Sequence, residues 1–147
     1  MHYIYMVLAF IAGVMLPTQI GLNTIVARAT ASPVWASAIS FVVGSIAMFA
    51  YFFASRQPWP AIGAISTIPH YAWLAGCLGA FYVTITIVAA PKIGAALLIS
   101  MVVAGQMIAA ILLDHYGAIG FPQHSINWGR VAGALMLVGG VVLIRRY

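Results

Sequence analysis

The sequence predicts an all-α membrane protein with five transmembrane helices in each chain. Of its 147 residues, 65% are hydrophobic and only 5% are charged, and the mean hydropathy is +1.10. Soluble domains carry about a quarter of their residues as charged side chains, so too little polar material is present to solvate a surface. Inside a bilayer the backbone must satisfy its own hydrogen bonds, which leaves helices or a closed barrel. Long unbroken apolar runs favour helices, because barrel strands alternate polar and apolar residues.

Five apolar runs account for most of the chain, and each approaches the roughly 20 residues that a helix needs to cross a bilayer. We predict spans at residues 3–27, 33–54, 71–90, 93–113 and 128–144, forming one membrane domain over residues 1–147. The first span ends before Arg28. Ser32 followed by Pro33 is typical of a helix start, because serine is a favoured N-cap and proline is favoured at the first helical position. The second span therefore begins here.

Prolines and charged residues mark the later boundaries. Residues 55–70 contain three prolines and are expected to form a connector at the membrane interface. We expect Pro91 with Lys92 to end the third span and Asp114 to end the fourth. The fifth span is short, and Arg130 in its first turn must extend its side chain towards the interface.

Basic residues give a weak signal for orientation. An odd number of spans places the two termini on opposite sides of the membrane. The C-terminal side would hold Arg28, Lys92, Arg145 and Arg146, and the N-terminal side Arg56 and Arg130. This difference favours a cytoplasmic C-terminus under the positive-inside rule. It is small, so insertion in both orientations and insertion in a single orientation both stay open.

Several functional classes find no support in the composition. The formal net charge is +5, but the six basic residues are scattered singly apart from Arg145 and Arg146, so nucleic-acid binding is not expected. Cys77 is the one cysteine and lies in an apolar run, which argues against a disulfide or a metal cluster. The four histidines show no ligand spacing. No nucleophile–base pair or phosphate-binding loop is present, and we expect neither a cofactor nor an enzyme.

Neutral polar side chains lie within the apolar spans and are the candidate substrate-binding residues: Gln19, Asn23, Tyr82, Ser100 and Gln106. Gln19 and Asn23 are four residues apart, so they share one face of the first helix. Polar groups at membrane depth mark substrate pathways, and they also join helices by hydrogen bonds. The sequence leaves both interpretations open for the two amides.

Asp114 is the only acidic residue, and it is either a proton or polar gate or an ordinary residue at a helix end. The first three spans contain no carboxylate that could exchange protons or attract a cation. The substrate is therefore expected to be a small neutral or amphipathic organic molecule. Gly129, Gly133 and Gly140 predict a seam for helix packing or dimerisation, and Ser37, Ser40 and Gly44 form a similar small-residue face on the second span.

Three runs of sequence resemble the YdcZ-like family of bacterial inner-membrane proteins, in the drug/metabolite transporter superfamily. They are GVMLPTQIGLNTIVAR, WLAGCLGAFYV and PKIGAALLISMVVAGQMIAAILLDHYG, and the resemblance covers essentially the whole chain. It places Gln19 and Asn23 in the polar stretch of the family's first helix. Gln106 and Asp114 fall in its fourth-helix pattern.

This resemblance implies a multi-pass protein of the bacterial inner membrane. The family contains single five-span chains, paired chains and fused ten-span chains, which implies two halves in opposite orientations. An antiparallel homodimer would then form a ten-helix inverted-repeat transporter, and alternating access is commonly built in this way. The leading hypothesis is a dual-topology exporter of small organic molecules. The alternative is a membrane accessory protein that transports nothing.

Overall fold

The computed structural model describes residues 2–147 and is all-helical. The helices are α1 (His2–Thr30), α2 (Pro33–Ala54), α3 (Ile62–Ser66), α4 (Leu74–Ile93), α5 (Ala95–Tyr116) and α6 (Trp128–Arg146). Short 3₁₀ turns precede α4 at His70–Trp73 and follow α5 at Ala118–Gly120. Within the described residues, five helical segments are long and apolar enough to cross a membrane: Tyr3–Thr30, Pro33–Ala54, His70–Ile93, Ala95–Tyr116 and Trp128–Arg146. The predicted all-helical fold with five candidate transmembrane helices is confirmed.

Side-chain caps fix the starts of α2 and α6. The Ser32 hydroxyl accepts a hydrogen bond from the Trp35 backbone N–H at 3.2 Å, and Pro33 occupies the first helical position, as predicted. Asn127 does the same for α6, because its Oδ1 accepts from the Arg130 N–H at 3.0 Å. Each cap satisfies one of the backbone donors that a helix start leaves unpaired.

The break between the third and fourth spans lies at Gly94, three residues later than Pro91. Helix α4 continues through Pro91 to Ile93. A proline in the last turn removes one backbone hydrogen bond, and the loss of this one bond does not end the helix. Gly94 has φ +80°, a conformation that is favourable only for glycine, and this residue redirects the chain.

Two further boundaries differ from the predictions. Helix α5 continues past Asp114 to Tyr116 and ends at Gly117, whose φ of +58° is typical of a glycine C-cap. The connector at residues 55–70 contains the short helix α3. The connector is held to the end of α2 by aromatic contacts of Trp59. The centroid of its ring lies 5.0 Å from that of Phe52 and 5.9 Å from that of Phe53.

The described residues divide into two compact units, one ending at Pro91 and the other comprising Lys92–Tyr147. In the first unit α1 packs on α2. Helix α4 contacts α2 through a 2.8 Å hydrogen bond between the hydroxyls of Ser37 and Thr84. In the second unit α5 packs on α6.

Few side chains of either unit are buried within the chain. In every membrane span, at most 17% of the residues in the most apolar stretch are buried within the chain. The buried apolar residues are Ile20, Ala36, Ile87, Leu98, Ala104 and Val141. Most apolar surface of the helices is therefore free to contact lipid or another protein chain.

Candidate functional site

Two grooves flank the contact between α1 and α2 in the first unit. The aromatic groove has a volume of about 580 Å³ and is lined by Gln19, Ser40, Phe41, Gly44, Ser45, Met48, Phe49, Phe52 and Val83. The amide groove has a volume of about 440 Å³ and is lined by Val14, Met15, Thr18, Gln19, Leu22, Asn23, Val26, Ala36, Ile39, Ser40 and Val43. Gln19 and Ser40 line both grooves, so they lie where the two meet.

Helical spacing explains the composition of both grooves. The α2 residues of the aromatic groove recur every three or four positions from Ser40 to Phe52, which places them along one side of the helix. Gln19 and Asn23 both line the amide groove, as expected for residues four apart on α1. The sequence predicted a small-residue face on α2 at Ser37, Ser40 and Gly44. Of these, Ser40 and Gly44 line the aromatic groove and Ser37 does not, and the aromatic residues of the groove were not predicted.

The side-chain amides of Gln19 and Asn23 differ in burial, and among the described residues neither has a hydrogen-bond partner. Asn23 is buried, whereas Gln19 is exposed in the described chain. Among the described residues neither side chain forms a hydrogen bond with another group, while the neighbouring Thr24 donates to the Ile20 carbonyl at 2.8 Å. An unpaired amide is costly in hydrocarbon. Both amides are therefore available to water, a ligand or another chain.

Tyr82 also belongs to the first unit, on α4, but it lines neither groove. Its hydroxyl oxygen is buried and has no hydrogen-bond partner among the described residues. Thr86, one turn later, donates its hydroxyl proton to the Val83 carbonyl at 2.9 Å. A buried hydroxyl without a partner is unusual, since most such groups are hydrogen-bonded, and it makes Tyr82 available to a further group.

Ser100 and Gln106 belong to the second unit, on α5. The Ser100 hydroxyl donates to the Ala96 carbonyl of its own helix at 2.7 Å. Gln106 is exposed in the described chain. The five predicted substrate-binding residues are thus divided between the units, and the structure brings together only the pair on α1, Gln19 and Asn23, in one groove.

Asp114 is paired with Arg130 in the second unit. The Arg130 Nη1 donates to Asp114 Oδ2 at 3.2 Å and to the His124 carbonyl at 3.2 Å. The His124 N–H in turn donates to the Asp114 carbonyl at 2.8 Å. Sequence reasoning did not pair these two residues, although their positions contained the signal. They have opposite charges and flank the same loop, at the end of one span and the start of the next.

The ion pair stands at one end of a groove of about 320 Å³ between α5 and α6, lined by Met107, Ala110, Ile111, Asp114, Arg130, Gly133, Ala134 and Leu137. Of the three glycines in the predicted seam, Gly129 has a close neighbour, because a Cβ there would lie 3.3 Å from Asn127 Oδ1. A methyl group added at Gly133 or Gly140 would meet nothing within 4 Å. Among the described residues, these two positions therefore leave room for a neighbouring helix.

A chain with five apolar helices, and with polar side chains unpaired at membrane depth, is a polytopic membrane protein. Residues 4–143 match the family described as "Putative inner membrane exporter, YdcZ". The "Inner membrane protein YdcZ" of Escherichia coli strain K12 is 30% identical over 142 residues, which cover 95% of this chain and 94% of that protein. The chain belongs to the YdcZ family of inner-membrane proteins, so the predicted family and location are confirmed. No solved structure matches the chain.

Proposed function

We propose that this chain is the subunit of an exporter of small organic molecules. The observation that carries the proposal is the pair of amides, Gln19 and Asn23, which lie in one groove of a membrane helix pair and have no hydrogen-bond partner among the described residues. Membership of a family described as an inner-membrane exporter supports the same function. A transported molecule needs polar groups along its path, and these groups must be solvated in some states and bound to substrate in others.

The transporting unit is an antiparallel homodimer of ten helices that works by alternating access. One chain buries little of its helical surface, so a second copy has ample apolar surface to cover. Five spans per chain mean that two oppositely inserted copies form an inverted repeat, the arrangement on which alternating access is commonly based. Gly129, Gly133 and Gly140 are the proposed seam between helices.

The substrate is neutral or amphipathic, and its site comprises Gln19, Asn23, Tyr82, Ser100 and Gln106 near the dimer midplane. None of these side chains is ionisable near neutral pH. Asp114 acts as a polar gate, because breaking its single ion pair with Arg130 would release the start of α6 from the end of α5. Each chain inserts as one membrane domain.

The alternative function is that of an accessory protein, whose exposed apolar helices pack against another membrane component. The same unburied surface supports it. In that case the polar residues would serve assembly alone. Asn23→Ala and Gln106→Ala separate the two functions, because a transporter would lose its response to ligand and keep a folded dimer. Loss of assembly in both variants would support the accessory function.

Membrane topology is the decisive experiment. Cys77 is exposed and must first be replaced by serine. A single cysteine then replaces Tyr147. It is labelled with a membrane-impermeant maleimide in right-side-out vesicles and, separately, in inverted vesicles, so that each preparation exposes one side of the membrane. Labelling from both sides, each in about half of the molecules, is expected of a dual-topology dimer. Labelling from one side only would contradict the antiparallel homodimer.

A further inference from the structure

The aromatic groove combines apolar walls with one polar edge. The rings of Phe41, Phe49 and Phe52 and the thioether of Met48 form its walls. Gly44 lies among them, and nothing is within 4 Å of where its Cβ would be, so this position adds depth to the groove. The polar edge is formed by Gln19 and Ser40, the two residues that also line the amide groove. Ser45 is a third polar residue of the lining, about 140° from Ser40 around α2.

This polar edge lies near the middle of the membrane. Gln19 is close to the centre of α1 and Gly44 is close to the centre of α2, and the two residues line the same groove. Among the described residues, none of the three polar side chains that line the groove is hydrogen-bonded. By contrast, the Ser37 hydroxyl one turn away bonds both Pro33 and Thr84. Lipid tails offer no hydrogen bonds, so a lipid chain in the groove would leave the amide unpaired.

The groove also constrains the charge and shape of its occupant. The described residues that line it include no charged side chain, and an ion at membrane depth without a counter-charge is strongly disfavoured. Its volume of about 580 Å³ is within the usual range for small-molecule pockets, about 300–1,000 Å³. Phenylalanine rings and a methionine sulfur interact favourably with aromatic rings in stacked, edge-on and sulfur–ring contacts.

We infer that the aromatic groove binds a neutral, planar aromatic molecule that carries a hydrogen-bonding group. Its ring system lies among Phe41, Phe49 and Phe52, and its polar group bonds the Gln19 amide. The inference rests on the proposed export function, since it names the substrate class. It also places the ring system on α2, outside the set of polar residues that the sequence predicted. An apolar helix of a second copy would fill the walls but would leave Gln19 and the two hydroxyls unpaired.

Trp59 offers a reporter for this site. Its ring lies 5.0 Å from that of Phe52, which lines the groove. Replacing Trp35, Trp73 and Trp128 by phenylalanine leaves Trp59 as the single tryptophan. The probe is dansylamide, a neutral naphthalene sulfonamide that accepts excitation energy from tryptophan. Binding is measured as saturable sensitised emission with the purified full chain in lipid nanodiscs, after subtraction of the signal from empty nanodiscs.

The expected result is saturable dansylamide binding, with the anionic dansylglycine binding at least about tenfold more weakly. Gln19→Leu should weaken dansylamide binding about three- to tenfold, the usual worth of one hydrogen bond. Phe49→Leu should weaken it about fivefold through loss of a ring contact. The matched control is Phe81→Leu, since Phe81 is exposed and lines neither groove.

Three results would overturn the inference. The first is the absence of a saturable signal. The second is equal dansylamide affinity in the single-tryptophan parent and in its Gln19→Leu, Phe49→Leu and Phe81→Leu variants. The third is equal binding of dansylamide and dansylglycine. Circular dichroism and gel filtration of each variant identify a folding defect. Loss of dimer in both Gln19→Leu and Phe49→Leu, but not in Phe81→Leu, would assign the groove to a second copy and also overturn it. Dansylamide binding in a chain of single orientation would contradict the antiparallel exporter and leave the groove assignment standing.

Discussion

At the scale of single residues, the hydroxyls of Ser37 and Thr84 show how α2 and α4 are joined within the membrane. They lie 2.8 Å apart, and each also approaches a carbonyl of its own helix, Pro33 at 3.0 Å and Ala80 at 2.8 Å. Each hydroxyl has one proton. Whichever of them donates across the interface, the acceptor hydroxyl can donate to its own carbonyl, so no proton is left without an acceptor.

Thr84→Val should lower the free energy of unfolding by about 0.5–1 kcal/mol, because it removes the interhelical bond and keeps the shape of the side chain. A double-mutant cycle with Ser37→Ala, measured by denaturation in mixed micelles, should give a coupling energy of similar size. The control is Thr86→Val. Thr84 is half-buried and Thr86 is buried, but among the described residues the Thr86 hydroxyl bonds only the Val83 carbonyl of its own helix. A coupling energy near zero would mean that the two hydroxyls do not join the helices.

At the scale of elements, the loop between α5 and α6 is joined to both helices by hydrogen bonds. It bonds the end of α5 through three residues. The Gln123 side chain donates to the His115 carbonyl at 3.1 Å, and the Ile126 N–H donates to His115 Nδ1 at 3.3 Å. The His124 N–H donates to the Asp114 carbonyl at 2.8 Å. The loop therefore satisfies carbonyls that the end of a helix leaves free.

Gly117→Ala should destabilise this loop by about 1–2 kcal/mol, since φ +58° is unfavourable for a residue with a Cβ. The added carbon would also lie 3.2 Å from the Gln123 Cβ. We expect faster proteolytic cleavage between residues 117 and 127 in reconstituted vesicles. Gly63→Ala is the control, because nothing lies within 4 Å of its Cβ position and its φ is ordinary. Equal cleavage rates in the two variants would show that Gly117 does not hold the loop.

The Asp114–Arg130 pair should contribute little to stability by itself. Its side chains are 27% and 31% exposed, and exposed ion pairs contribute about 0–1 kcal/mol. Asp114→Asn should therefore lower the free energy of unfolding by at most about 1 kcal/mol at low salt, and by less at high salt. Thermal unfolding at two ionic strengths measures this difference. If Asp114 is a gate, the same variant should change transport far more than stability, and equal changes would contradict that role.

The sequence predicted the elements better than their contacts. Local signals were sufficient for the start of α2, where the Ser32 cap and Pro33 act within one turn. Pro91 was misleading, because the helix tolerates proline in its last turn and the change of direction needs the positive φ of Gly94. The aromatic groove could not be predicted, since its shape depends on how α1, α2 and α4 lie against each other. Helical periodicity predicts which residues share a face of one helix, but it does not predict which other helix packs against that face.

At the scale of the whole molecule, the unburied helices and the balance of basic residues lead to one testable arrangement. Most apolar side chains of the spans are exposed in a single chain. The basic residues are divided four to two between the sides of the membrane, so a few added lysines and removed arginines should be sufficient to fix either orientation. A dual-topology dimer then depends on the presence of both orientations, and this dependence can be tested without knowing the substrate.

Two biased variants provide this test. Gln57→Lys, Ser66→Lys and Ser125→Lys, combined with Arg145→Gln and Arg146→Gln, give five basic residues on the N-terminal side against two. Ala29→Lys with Tyr147→Lys gives six on the C-terminal side against two. Each variant expressed alone should insert in one orientation and lose the cross-linked dimer. Coexpression of the two, with different tags, should restore a mixed dimer because opposite orientations are then both present. Gln57→Glu with Ser125→Glu is the matched control, since acidic residues have little effect on orientation, and it should dimerise alone. A biased variant that dimerises alone would favour a parallel dimer and contradict the inverted repeat.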